Sequence, residues 1–135
     1  METLPAQHQA LQLDYDCTCS SAGKETNEDA AGVVIPDSAY VQNYKGAAFV
    51  VADGVSSAEA GQQASQTALQ SFLTDYFKTP DTWSVRQSAE QVIATINLRL
   101  FRRSHAYTSE NKGHLCTFSA VVIKSHTAHI FHVGD

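Results

Sequence analysis

Long apolar runs are missing from this 135-residue chain: no stretch approaches the roughly 18 residues that a membrane-spanning helix needs. The N-terminal METLPAQHQALQ also lacks the charged and apolar regions of a secretory signal, so a cytoplasmic location is expected. Cysteine is scarce and odd in number, at three. Cys17 and Cys19, two apart in an extended run, would have Cα atoms about 6.5 Å apart, near the limit for a disulfide. Free thiols in a reducing compartment are therefore expected, and a Cys-x-Cys metal half-site has no second Cys or His pair at finger-like spacing to complete it. Positive charge is in deficit as well. Nine Lys and Arg stand against fourteen Asp and Glu, a net charge of −5, which argues against a nucleic-acid or anionic-membrane partner. Charged residues make up 17% against 43% hydrophobic, the balance of a chain that buries a core, so disorder is excluded. A chain of this length buries roughly two-thirds of its unfolded surface and needs no structural metal to hold together.

Hydropathy patterning supplies the elements. Residues 1–10 read as a tail ahead of one domain, with no repeat, low-complexity tract or linker. From Leu11 to Cys19 apolar and polar residues alternate, the pattern of a half-buried strand. A polar loop over 20–28 precedes a short apolar strand at Ala30 to Ile35, stopped by Pro36; residues 37–45 read as a polar connection. Ala47 to Ala52 is an unbroken apolar run of strand length, which predicts a strand covered on both faces. Ser56 with Glu59 forms a capping box ahead of Ala60, Ala64, Ala68, Phe72 and Tyr76 at helical spacing, a helix of about 20 residues. Ser84 with Gln87 repeats the signature before Val85, Ala89, Val92, Ile96 and Leu100, predicting a second helix that ends near His105. After a polar loop over 108–113, Cys116 to Ile123 and Thr127 to Val133 read as a hairpin turning at Lys124-Ser125-His126. Grouped strands around a grouped helix pair favour an α+β fold over a doubly wound parallel sheet.

Acidic residues stand where strands give way to loops: Glu28-Asp29, Asp53-Gly54 and Gly134-Asp135. Carboxylates that converge within ~4 Å repel by about 4 kcal/mol per pair at an effective dielectric near 20, unless cations or protons intervene. Oxygen donors without a His or Cys shell suit Mg²⁺ or Mn²⁺ better than zinc. The blander alternative is that an Asp-Gly after a strand is a turn and an Asn-Glu-Asp is a solvated loop. His129 and His132 fall on opposite faces of one strand and cannot share a metal, so both read as structural.

Four segments in order alter that balance. Gly23-Lys24-Glu25-Thr26-Asn27-Glu28-Asp29, Phe49-Val50-Val51-Ala52-Asp53-Gly54, Cys116-Thr117-Phe118-Ser119-Ala120 and Phe131-His132-Val133-Gly134-Asp135 resemble successive signature blocks of the metal-dependent, type 2C protein Ser/Thr phosphatases, most nearly the bacterial members. The resemblance implies a β-sandwich flanked by α-helices, four layers in αββα order, with a centre of two Mn²⁺ or Mg²⁺ ions, and in some members a third, at one end of the sandwich. Asp53 would bridge both metals, Gly54 would bind one through its backbone carbonyl, and Glu28 would complete that metal's protein shell. Asp29 would hold water of the centre, and Asp135 would help hold a further, weaker metal. Lys24 stands where the family usually has an arginine that grips the substrate phosphate; it keeps the charge and loses the planar fork. Val55 replaces a histidine that many eukaryotic members carry as a proposed general acid, as bacterial members often do.

The family's domain continues past its Gly-Asp block with further metal-binding aspartates, so residues 11–135 read as the N-terminal part of a catalytic domain. On its own that part is expected to be inactive and to self-associate through unpaired strand edges and an uncovered apolar face. A phosphoprotein is the implied substrate, and a protein kinase in the same chain or pathway an implied partner. A non-catalytic regulatory or interaction module of the same fold is the alternative.

Overall fold

The computed structural model describes residues 11–20, 22–23, 26–55, 58–105 and 113–135. The expected tail over 1–10, Lys24, the capping residue Ser56 and the loop over 108–112 lie outside them.

Two hairpin-like neighbours and two long helices build the fold. Strand β1 (Asp29–Val34), helix α1 (Ala39–Lys45), strand β2 (Ala47–Gly54), helices α2 (Ala58–Asp75) and α3 (Val85–His105), and strands β3 (Cys116–Lys124) and β4 (Thr127–Val133) follow in order. The strands form one antiparallel sheet in the order β1-β2-β3-β4, with registers that include Val33 opposite Phe49, Val50 opposite Ala120, and Val121 opposite Ile130. The α+β class holds. Of the four expected layers, the described residues supply one sheet and the helices packed on it.

Burial of one sheet face sets the packing. Ala48, Val50 and Ala52 of β2 alternate inward beside Ala30, Phe118, Ala120 and Val122, all buried. Against them α2 lays the small-residue stripe Ala60, Ala64 and Ala68, whose short side chains let the helix sit close before Phe72 and Tyr76 fill the wider end. The Phe72 ring stacks on Tyr76 at 5.4 Å and meets Phe118 at 5.2 Å. Helix α3 starts as the sequence predicts, with Ser84 Oγ accepting from the Gln87 amide at 3.0 Å, and buries Val85, Ala89, Val92, Ile96 and Leu100.

Three expectations are corrected. Leu11 to Cys19 is not a strand: the alternation is there, but among the described residues no strand pairs with it, and Tyr15, Cys17 and Cys19 are exposed. Tyr15 meets Phe49 edge-on at 6.2 Å, and the Gln42 side chain donates to the Leu11 carbonyl. The polar connection over 37–45 contains helix α1, capped by Ser38, whose Oγ accepts from the Val41 amide. Its polarity hid a single buried contact, Lys45. Lastly, β2 is covered unevenly: Ala48, Val50 and Ala52 are buried under the helices, while on the other face Ala47 is buried, Phe49 is half-buried beside Tyr15 and Val51 is 57% exposed.

Lys45 joins α1 to the α2–α3 connection. Its Nζ donates to Thr79 Oγ1 at 2.6 Å, to the Pro80 carbonyl at 3.1 Å and to Ser88 Oγ at 3.5 Å. Tyr76, fully buried, donates its hydroxyl to the Lys45 carbonyl at 2.7 Å. Burial lowers the Lys45 ammonium from its ordinary value and raises the Tyr76 phenol, so the neutral oxygens around Nζ must replace its lost water. Tyr76→Phe leaves the Lys45 carbonyl without that donor. It should destabilise the protein by about 1–2 kcal/mol in urea denaturation, and an unchanged midpoint would contradict the role given to this bond.

Candidate active site

The acidic residues meet at one rim of the sheet. Register pairs Asp29 with Asp53 and Asp53 with Thr117, and the β3–β4 ladder ends at Phe118 opposite Val133, so Gly134 comes next beside Thr117. One rung thus runs Asp29, Asp53 and Thr117 across β1, β2 and β3, with Gly134 just past the end of β4 against Thr117. Strand alternation turns Asp29 and Asp53 toward the open face, since Ala30, Ala52 and Gly54 are buried beneath the helices.

Glu28 takes a different direction. A backbone bond from the Gly54 amide to the Glu28 carbonyl, 3.0 Å, prolongs the β1–β2 pairing past Asp29. The Glu28 carboxylate then reaches the first turns of α2: a Cβ placed on Gly61 would lie 3.3 Å from its Oε2. Gly54 and Gly61 make that approach feasible, because a Cβ on Gly54 would stand 2.4 Å from the Gly61 carbonyl oxygen. Glu28, Asp29 and Asp53 nevertheless line one cleft of about 120 Å³, together with Ser20, Ala22, Thr26 and Asn27. The Asn27 side chain accepts from the Asp29 amide at 3.0 Å and shapes the entry to β1. Asp135 follows Gly134 at the same rim, exposed, and is not part of the cleft lining.

A family model described as protein phosphatase 2C matches residues 18–135. The chain belongs to the protein phosphatase 2C family. Among solved structures it is similar to the serine/threonine phosphatase PstP/Ppp of Mycobacterium tuberculosis, with a TM-score of 0.61 and 18% identity over 83% of this chain and 42% of that one. It is similar also to the PPM Ser-Thr phosphatase MsPP of Mycobacterium smegmatis, solved with cacodylate, with a TM-score of 0.58 and 24% identity over 83% of this chain and 41% of that one. At these identities the likeness shows the fold, and the chain spans about two-fifths of each mycobacterial protein. A search of curated proteins returned no match.

For a type 2C phosphatase chain the donor chemistry of the rim is informative. Its cleft offers carboxylate, amide and hydroxyl oxygens and no thiolate or imidazole, a set suited to hard divalent cations that keep several waters. Burial pushes the neighbouring Cys116 thiol up from its ordinary value, and the Asp53 carboxylate adds to the shift. Among the described residues no three His, Cys, Asp or Glu side chains stand together as a group that could hold a metal ion by themselves. The residues therefore fit Mg²⁺ or Mn²⁺ in kind while supplying part of a shell.

Sequence reasoning missed Gly61, Thr117 and Ser119. Gly61 is a glycine inside a helical pattern, a signal of close backbone approach. Thr117 and Ser119 share the parity of Asp53 through the register, which no single segment reveals. His129 and His132 do fall on opposite faces, opposite Val122 and Ser119 respectively.

Gly54→Ala tests the seating of the rim on α2. The added methyl meets backbone that cannot swing away, so the variant should lose at least about 2 kcal/mol of stability in denaturant unfolding. An unchanged midpoint would mean that the helix does not sit so close.

Proposed function

We propose that this chain is the N-terminal part of an Mg²⁺- or Mn²⁺-dependent protein phosphatase that hydrolyses phosphoserine and phosphothreonine. The observation that carries the reading is the acidic rung, Asp29 opposite Asp53, with Gly54 and Glu28 adjoining it at one rim. Asp53 and Glu28 would hold the cations through their carboxylates, Gly54 through its carbonyl, and Asp135 would hold a further one. When bound, such a pair lowers the pKa of water toward neutrality and offsets charge on the phosphoryl oxygens. Asp29, on the open face beside Asp53, accepts hydrogen bonds from water and so orients it toward phosphorus. Lys24 holds the substrate phosphate as a point charge. No side chain at position 55 can donate a proton, so the leaving alkoxide takes one from solvent.

This reading places the protein in phosphoprotein signalling, where the substrate's phosphate comes from a protein kinase. Free Cys17, Cys19 and Cys116 fit a reducing, cytoplasmic setting, and among the described residues no helix is long and apolar enough to cross a membrane. In the full-length protein Asp53→Asn should lower Mn²⁺-stimulated hydrolysis of p-nitrophenyl phosphate by more than the roughly 10–100-fold that outer partners of a metal cost. Full retained activity refutes the assignment.

A second reading, a non-catalytic regulatory or interaction module, is motivated by Lys24 in place of the family's arginine, which loses the planar fork that grips a phosphate. Calorimetric titration of the full-length protein with Mn²⁺ separates the two: millimolar or tighter binding supports the enzyme, and no heat supports the module. The open sheet face, where Ile130 is 73% and Val51 57% exposed, also needs cover in either case. The 135-residue chain alone should therefore show a mass that rises with concentration in light scattering, and a clean monomer would contradict that expectation.

A further inference from the structure

On the open face, two rungs inward from Asp53 and Thr117, Ser119 and His132 stand directly opposite each other across β3 and β4. The Ser119 Oγ lies 2.7 Å from His132 Nδ1, and His132 Nε2 lies 3.0 Å from the Gly134 carbonyl oxygen. A carbonyl oxygen only accepts, so Nε2 must carry the hydrogen. The neutral ring then has a bare Nδ1, and the Ser119 hydroxyl must donate to it. Three groups from two strands thus form one directed chain, Ser119 to His132 to Gly134.

What that chain holds is the turn at the end of β4. Gly134 has φ of +109°, a conformation glycine adopts without penalty and other residues do not. It lies beyond the last register pair of the ladder. A Cβ there would come within 3.0 Å of Thr117 Cγ2 and 3.2 Å of its Cα, so Gly134 is already pressed against the residue beside Asp53. His132 restrains it as well, through its carbonyl. Asp135 is bonded directly to this restrained residue.

We propose that His132 is a positioning residue, locked in the Nε2–H form by the Gly134 carbonyl, which fixes the Gly134–Asp135 turn at the acidic rim. The proposal rests on the phosphatase reading for the role of Asp135, though not for the hydrogen-bond chain itself. Groups that orient a metal ligand without touching the metal matter because they set its direction before binding.

Long-range proton–nitrogen NMR on the histidine-labelled protein reads the tautomer directly. The Nε2–H form is expected, and Ser119→Ala should retain it because the carbonyl selects it. His132→Ala should shift the Gly134 and Asp135 amide resonances and, in the full-length protein, raise the Mn²⁺ concentration for half-maximal p-nitrophenyl phosphate hydrolysis about tenfold. His132→Gln, which keeps a side-chain N–H donor, should recover part of both effects. An Nδ1–H ring in the wild type overturns the proposal even if no variant folds. So do unmoved Gly134 and Asp135 resonances in His132→Ala. Those results with an inactive Asp53→Asn would leave the phosphatase reading intact, whereas the expected tautomer and shifts in a protein without Mn²⁺-dependent hydrolysis would uphold the turn and remove that reading.

Discussion

The register between β1, β2 and β3 is the constraint on which the rest depends. A slip of one residue would turn Asp53 beneath the helices and expose Ala52 and Val50, because side chains alternate strictly along a strand. Core packing forbids the slip: Ala48, Val50 and Ala52 fit under the small-residue stripe of α2 only in the observed phase. At the rim the Gly54–Gly61 approach fixes the same phase a second time, since no side chain could pass between those backbones. The hydrophobic face thus decides where the carboxylates go, and the chemistry is a consequence of packing on the other side of the sheet.

Such an arrangement opposes stability on its own terms. Like charges directly opposite each other weaken an antiparallel pair, and Asp29 faces Asp53 across the ladder with Glu28 lining the same cleft. A chain selected for stability alone would place a neutral or basic partner there. Divalent cations would convert the same repulsion into affinity, in keeping with the proposed function. The open apolar face has a parallel meaning: one sheet with helices on a single side is half of a layered fold, in a chain that spans about two-fifths of its mycobacterial neighbours.

Much of this was legible from residues alone, for identifiable reasons. The two long helices announced themselves by four-residue spacing and by the Ser84 cap, and the β3–β4 hairpin by two β-prone runs around a two-residue turn. Leu11 to Cys19 deceived because alternation records a preference for two faces, while a strand also requires a partner to take its hydrogen bonds. Helix α1 escaped because its seven residues bury only Lys45 and so show no buried apolar stripe; Ser38 ahead of it and Gly46 behind were the available signals. The uneven burial of β2 was illegible for a different reason: an unbroken apolar run tells that both faces avoid water, not which layer covers each. At the rim, Asp53, Glu28 and Gly54 were expected from their motifs, and the structure brings them to one end of the sheet. Thr117, Ser119 and the hydrogen-bonding of His132 depend on cross-strand neighbours and needed the register.

Paramagnetic line broadening by Mn²⁺ in amide NMR spectra tests the central claim most directly, because it locates a cation without assuming any activity. If the acidic rung is a metal site, the resonances of Glu28, Asp29, Asp53 and Gly54 broaden first as Mn²⁺ is added, followed by Thr117 and Gly134. Broadening that begins elsewhere, for instance around Asp14 and Asp16, or that spares the rim while the rest of the spectrum changes, would contradict it.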